Sequence, residues 1–125
     1  MRFGGSGSEQ NGWRPGLVFQ NNTGNRFSPN IIALPMTSCL KKASQPTHVL
    51  LSGKENGLPK DSMVLCENPE RMSKEKLGQY ITTLSEPVMA RIAAASLLAT
   101  SAISFLTPDS LVSLWKQARL LNAAG

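Results

Sequence analysis

Gly16-Leu17-Val18-Phe19-Gln20, the turn-rich Asn21-Asn22-Thr23-Gly24-Asn25-Arg26-Phe27-Ser28-Pro29-Asn30, and then Ile31-Ile32-Ala33-Leu34-Pro35-Met36 form the stretch that decides the fold. Two short apolar runs separated by a segment rich in Asn, Gly and Pro read as strand, connection, strand. Toward the C-terminus residues 48–51 and 62–66 repeat the pattern, with Gly53, Gly57 and Pro59 between them. Tyr80-Ile81-Thr82-Thr83-Leu84, rich in β-branched residues, predicts a further strand. Short strands with glycine and proline turns at this spacing predict a small barrel or sandwich. Toward the N-terminus the first twelve residues are rich in Gly, Ser and Asn, which is loop chemistry.

Beyond residue 84 the texture changes. Ser85 is a helix cap with Glu86 and Pro87 in the first turn, and residues 88–106 contain no Gly or Pro to stop the helix. Along it Ser96, Thr100 and Ser104 share one stripe, which leaves Leu97, Leu98, Ile103 and Leu106 for burial. Thr107 then caps a second helix from Pro108, where Leu111, Leu114, Trp115, Ala118 and Leu121 follow helical spacing. The C-terminal third is thus predicted as a helical hairpin. Its apolar segment, residues 92–106, is shorter than the ~20 residues a bilayer crossing needs, so a packed or dimer-interface helix is expected.

A chain of 125 residues has room for one core. Its 41% hydrophobic and 17% charged residues exclude the disordered class. Thirteen Lys and Arg against eight Asp and Glu leave +5, which suits an anionic partner such as RNA or an acidic peptide. Charge alone is equally well explained by solubility. Two thiols, Cys39 and Cys66, and one histidine, His48, support neither a disulfide framework nor a zinc site, and no cofactor is expected. Met1-Arg2-Phe3 leads into Gly-Gly-Ser-Gly-Ser where a signal peptide would be apolar, so a cytoplasmic location is expected.

The sharper signal is local. Gly7-Ser8-Glu9-Gln10-Asn11-Gly12-Trp13-Arg14-Pro15 resembles the Gly-Ser-Glu-Gln-x-Gly-x-Arg-Pro loop of MazF/PemK toxins. Gln20-Asn21 through Gly24-Asn25-Arg26-Phe27-Ser28-Pro29, Thr37 after a strand, Pro46-Thr47-His48, and Asp61-Ser62 ahead of Leu65-Cys66-Glu67 agree in order and spacing. The resemblance implies an SH3-like barrel with C-terminal helices, a homodimer that cuts single-stranded RNA without metal, and a cognate antitoxin. RNA carries its own nucleophile, the 2′-hydroxyl, so cleavage to 2′,3′-cyclic phosphate and 5′-hydroxyl ends needs only alignment, proton movement and charge stabilisation. Arg14 and Thr37 fall on the family's two catalytic positions. A guanidinium fork holds two phosphate oxygens, and a hydroxyl donates or accepts at the same group. Ser8, Glu9 and Gln10 match loop residues that touch RNA; Ser62 and Glu67 match positions lining the base-reading groove, and Asn68 beside them is assigned to RNA binding too. Taken singly, each has an ordinary explanation in turn polarity or surface charge. Lys41 and Lys42 suit backbone phosphates or a solvated loop equally, and His48 is read as structural rather than as a base.

Three departures stand out. The family opens with a strand of the type Gly-Asp-x-x-x-x-Asp-Leu, and here only residues 1–6 occupy that place, so the barrel is expected to lack its first strand and expose backbone edges. The family's Glu-Gln-Ile-Arg-Thr-Ile-Asp is Glu67-Asn68-Pro69-Glu70-Arg71-Met72-Ser73, with Glu70 at the arginine position and Pro69 unable to donate to a ladder. Residues 107–125 extend past a toxin domain of residues 1–106, as an extra helix that is expected to cover the open surface. Two rival classes stay open: a catalytically weak relative that binds RNA or an antitoxin tail, and a toxin acting on membranes through residues 88–106.

Overall fold

The computed structural model describes Met1, Phe3 and residues 13–123. Five strands follow in chain order as β1 (Gly16–Val18), β2 (Asn30–Thr37), β3 (His48–Leu51), β4 (Ser62–Leu65) and β5 (Glu70–Ser73). The helices are α1 (Asn22–Phe27), α2 (Gly53–Asn56), α3 (Glu86–Ala99) and α4 (Pro108–Ala123). All strand pairing is antiparallel, in the order β1-β2-β4-β3. β2 is the central strand. Along one edge it pairs with β1, and along the other it pairs first with β5 (Ile31 opposite Met72) and then with β4 (Thr37 opposite Met63). One strand with two successive partners on one side bends the sheet, yet the ladder ends at β1 and β3 among the described residues, so the sheet is open.

Side-chain alternation divides the core between the two faces. Leu34, Met36, Val49, Leu51 and Val64 face one way, where α3 lays Ile92 and Ala95 on them. Ile31, Ala33 and Met72 face the other way under Met1, Phe3 and Val18. Burying these aliphatic side chains, several at 0–2% exposure, is the main stabilising term.

The predicted strands at 31–36, 48–51 and 62–66 form within a residue at each end, and the one at 16–20 forms over its first three residues. Phe19 still donates its N–H to Ile32 at 2.8 Å. Three elements depart from expectation. The connection at 21–30 contains α1, capped by the Asn21 side chain, which accepts from the Gly24 N–H at 2.9 Å. β5 forms directly after Pro69, whose missing donor falls in the turn and not in the ladder. Residues 80–84, predicted as a strand, make no ladder because no strand lies beside them among the described residues.

The long helix predicted over 88–106 stops at Ala99. Ser101 adopts the left-handed conformation (φ 58°), its N–H bonds back to Leu98 at 3.2 Å, and residues 102–105 form a separate 3₁₀ turn. The inward stripe of α3 is Val88, Met89, Ile92 and Ala95, while Leu97 and Leu98, expected to be buried, are 38% and 54% exposed. The predicted hairpin is replaced by a different docking. The end of α4 sits on α1, where Thr23 Oγ1 donates to the Leu121 carbonyl at 2.7 Å and Asn22 N–H to Asn122 Oδ1 at 3.0 Å. No residue of α4 is buried.

Candidate active site

The β1–β2 register brings Arg14 and Thr37 together. Gly16 stands opposite Pro35, Leu17 opposite Leu34 and Val18 opposite Ala33, so the partner numbers sum to 51, and the same count sets Arg14 opposite Thr37. Pairing does extend that far, because the Met36 N–H donates to the Pro15 carbonyl at 3.2 Å. That bond makes Pro15–Met36 a hydrogen-bonded pair and Arg14–Thr37 the next non-hydrogen-bonded pair, the kind whose Cα atoms approach to about 4.5 Å with both side chains on one face. Arg14 turns its own N–H and C=O away from β2. Its N–H donates to the Met1 carbonyl and its carbonyl accepts from the Met1 ammonium, both at 2.8 Å.

Three features tune the pair. The Arg14 guanidinium lies 5.6 Å from the Phe3 ring centroid, which holds a planar cation in place without consuming its donors. The Thr37 Oγ1 accepts from the Cys39 N–H at 3.0 Å, so the hydroxyl is oriented while its own proton stays free to donate. Both residues are half-buried, and they occupy the sheet face opposite α3.

Farther across the same face, by the β2–β4–β3 register, lie Met63, Leu50 and His48. His48 Nε2 is 2.6 Å from Glu67 Oε2, and Nδ1 is 2.9 Å from the Lys42 carbonyl. Both ring nitrogens therefore meet oxygen acceptors, which fixes the imidazole plane and the carboxylate together. Two strand spacings and two residues of rise put this pair about 12 Å from Thr37, on the same face as Arg14.

The other predicted site residues divide. Ser8, Glu9 and Gln10 lie outside the described residues. Asn68 is exposed beside Glu67 in the turn between β4 and β5. Ser62 is 5% exposed, donates its hydroxyl to the Lys60 carbonyl at 2.9 Å, and by alternation faces the α3 side, so the sheet does not bring it to Arg14 and Thr37. The His48–Glu67 contact was not anticipated from sequence. Its signal was the 48–51/62–65 pairing, which sets His48 opposite Leu65, two residues before Glu67. Among the described residues no group of three or more His, Cys, Asp or Glu is placed to hold a metal ion, and no helix is long and apolar enough to cross a membrane.

Arg14 also stands at the end of a second feature, a cleft of about 930 Å³ along the outer edge of β1. Gly16 and Val18 from one face of β1 and Leu17 from the other line it, with Tyr80, Ile81 and Thr82 across from them. Thr37 does not line it, and neither does any residue of α4, so the C-terminal helix leaves the open edge uncovered.

Comparison with known proteins defines the class. Two similar solved structures are the Mycobacterium tuberculosis toxin MazF-mt6 (TM-score 0.64, 25% identity, 70% of this chain and 86% of that one) and an endoribonuclease in complex with its cognate antitoxin from a mycobacterial species (TM-score 0.64, 28% identity, 72% and 82%). The small antiparallel sheet with a helix on one face thus has the fold of the MazF toxin class. Endoribonuclease EndoA of Bacillus subtilis (strain 168) is 40% identical over 99 residues, 79% of this chain and 85% of the relative. Endoribonuclease MazF of Staphylococcus epidermidis is 42% identical over 86 residues, 69% and 72%. A family model described as PemK-like, MazF-like toxin of type II toxin–antitoxin systems matches residues 1–98, and the chain belongs to that family.

Proposed function

We propose that the protein is a metal-independent endoribonuclease toxin that cleaves single-stranded RNA, with Arg14 and Thr37 at the scissile phosphate. The observation that carries this reading is the cross-strand pairing of a fixed guanidinium with an oriented hydroxyl on the sheet face opposite α3. The 2′-oxygen attacks phosphorus as its proton leaves, the bond to the 5′-oxygen breaks, and that oxygen takes a proton. The products are a 2′,3′-cyclic phosphate and a 5′-hydroxyl. Arg14 neutralises the two non-bridging oxygens as charge builds, and Thr37 donates to the same phosphate and holds it in line. Glu67, held by His48, and exposed Asn68 beside it are proposed to meet flanking bases, and Ser8, Glu9 and Gln10 to touch the strand ahead of Arg14.

The same reading makes the open sheet an SH3-like barrel parted at one seam, in a toxin domain of residues 1–106 with 107–125 as a helical extension. It makes the protein a homodimer acting on mRNA in the cytoplasm and neutralised by a cognate antitoxin, in keeping with the antitoxin complex of its structural neighbour.

The test is cleavage of a labelled single-stranded RNA in EDTA. Wild type should cut and leave 2′,3′-cyclic phosphate ends, and Arg14→Ala and Thr37→Ala should each slow cleavage about 10²–10³-fold with the fold intact. Intact RNA with wild type, or equal cutting by Arg14→Ala, would sink the enzyme reading. Loss of cutting with binding retained would select an RNA-binding relative instead.

A further inference from the structure

His48 is a buried titratable side chain that the proposed cleavage chemistry does not use. Only 7% of it is accessible, whereas the Glu67 side chain that it meets is 35% accessible. Nε2 lies 2.6 Å from Glu67 Oε2, and Nδ1 lies 2.9 Å from the Lys42 carbonyl. A carbonyl and a carboxylate can only accept, so both ring nitrogens donate, and a ring that does so is an imidazolium. Glu67 is thereby paired with a cation through Oε2, and no described residue bonds its Oε1. The Lys42 end of the contact anchors the ring. Lys42 stands in the loop of residues 38–47 with φ 59°, a left-handed conformation that a residue other than glycine keeps only where its surroundings over-determine it. Three bonds do so here. The Lys42 carbonyl accepts from His48 Nδ1 and from the Gln45 N–H at 3.1 Å, and the His48 N–H donates to the Gln45 carbonyl at 3.0 Å. At the start of the same loop the Cys39 N–H holds Thr37 Oγ1. One imidazole thus ties the loop that leaves Thr37 to the carboxylate in the turn between β4 and β5.

We propose that His48 is a positioning residue for base selection, which holds Glu67 as a pure hydrogen-bond acceptor so that a base with an amino group is taken and uracil is refused. The Lys42 carbonyl fixes the ring plane and aims Nε2 at the carboxylate, as a second partner on an imidazole does. An unpaired carboxylate beside a phosphate chain is repelled by it, and the imidazolium offsets that charge where solvent reaches Glu67 least. Adenine, cytosine and guanine each present an amino group that donates to a carboxylate oxygen. Uracil presents one N–H between two carbonyls, and those oxygens face a carboxylate unfavourably. His48 is too enclosed to reach the strand itself and acts through Glu67. The inference rests on the proposed function only in taking RNA as the ligand of this face, and it does not require that the RNA be cut.

The probe is a library of short single-stranded 2′-fluoro RNAs randomised at their central positions, which lack the 2′-hydroxyl that cleavage needs. The full chain selects from it, and the bound fraction is sequenced. Wild type should disfavour uracil about tenfold at one position, and Glu67→Gln, whose amide both donates and accepts, should abolish that bias. His48→Ala should abolish it too, and the double variant should be no worse than either single one, because the two residues act as a unit. Conservative replacements separate positioning from packing. A glutamine amide reaches the place of Nε2 and an asparagine amide that of Nδ1. His48→Gln should therefore keep the bias and His48→Asn should lose it, each at an unchanged circular dichroism spectrum. If His48→Ala does not fold, this contrast decides. A uracil bias that survives His48→Ala, equal behaviour of the Gln and Asn variants, or a wild type without the bias would overturn the proposal. Cutting of ordinary RNA together with a bias indifferent to His48 overturns this inference alone. A His48-dependent bias without any cutting keeps it and sinks only the nuclease reading, and a wild type that neither binds the library nor cuts RNA removes both.

Discussion

At the scale of single residues, position on a strand decides which side chains can act together. Arg14 and Thr37 are 23 apart in sequence and meet because one register sums to 51, whereas Ser62 ends up on the other face because strands alternate. That difference was not readable from residue types, since all three are polar residues at strand ends. The family resemblance marked Arg14 and Thr37, and the ladder supplies the physical reason for their proximity. Cys66 illustrates burial acting on chemistry. Burial pushes its thiol above the ordinary value of 9.0, with Glu67 adding to the rise. A raised folded-state value keeps the thiol protonated after the unfolded chain has lost its proton, so this contribution is complete below pH 9 and lost as pH climbs through the folded value. Chemical denaturation between pH 8 and about 11 should show wild-type stability falling, and Cys66→Ala should fall less steeply over that window. Parallel curves would show that the thiol carries none of the slope.

At the scale of elements, caps and partners mattered more than propensity. Asn21 turned a stretch rich in Asn and Gly into α1, and Ser101 ended α3 seven residues short of the predicted stop at 106. Neither event shows in hydrophobic periodicity, because both depend on backbone groups finding specific acceptors. Ser101 holds φ 58° without being glycine, so Ser101→Gly should raise stability by about 0.5–1 kcal/mol, read as a rise in Tm of a few degrees. The opposite effect awaits Ile92→Ala. Ile92 is 0% exposed under the sheet, and its truncation should cost about 2–5 kcal/mol in urea unfolding. A loss under about 1 kcal/mol would mean that α3 does not hold the sheet together. The segment at 80–84 teaches the complementary lesson. Its β-branched residues were legible as a strand, but a strand exists only beside another, and none described is there.

At the scale of the whole molecule, the helical extension and the sheet behave as separate matters. α4 buries no residue and touches α1 through Asn22 and Thr23, so a chain ending at residue 106 should keep the sheet and α3. Its Tm should fall by no more than a few degrees, and a collapse of cooperative unfolding would show that the extension is part of the core. The exposed Leu114, Trp115, Leu120 and Leu121 of that helix should make the full chain more prone to self-association than the truncated one, measured by light scattering. The sequence by itself determined the β-rich class, the first four strands, the two C-terminal helical regions and, through its matched motifs, the family. Those properties are written in local alternation, turn residues and short motifs, which need no knowledge of distant contacts. Only the tertiary structure decided that Arg14 faces Thr37, that His48 holds Glu67, and that α4 lies on α1. Each depends on which strand or helix stands beside which, and that is settled by packing among residues far apart in the chain.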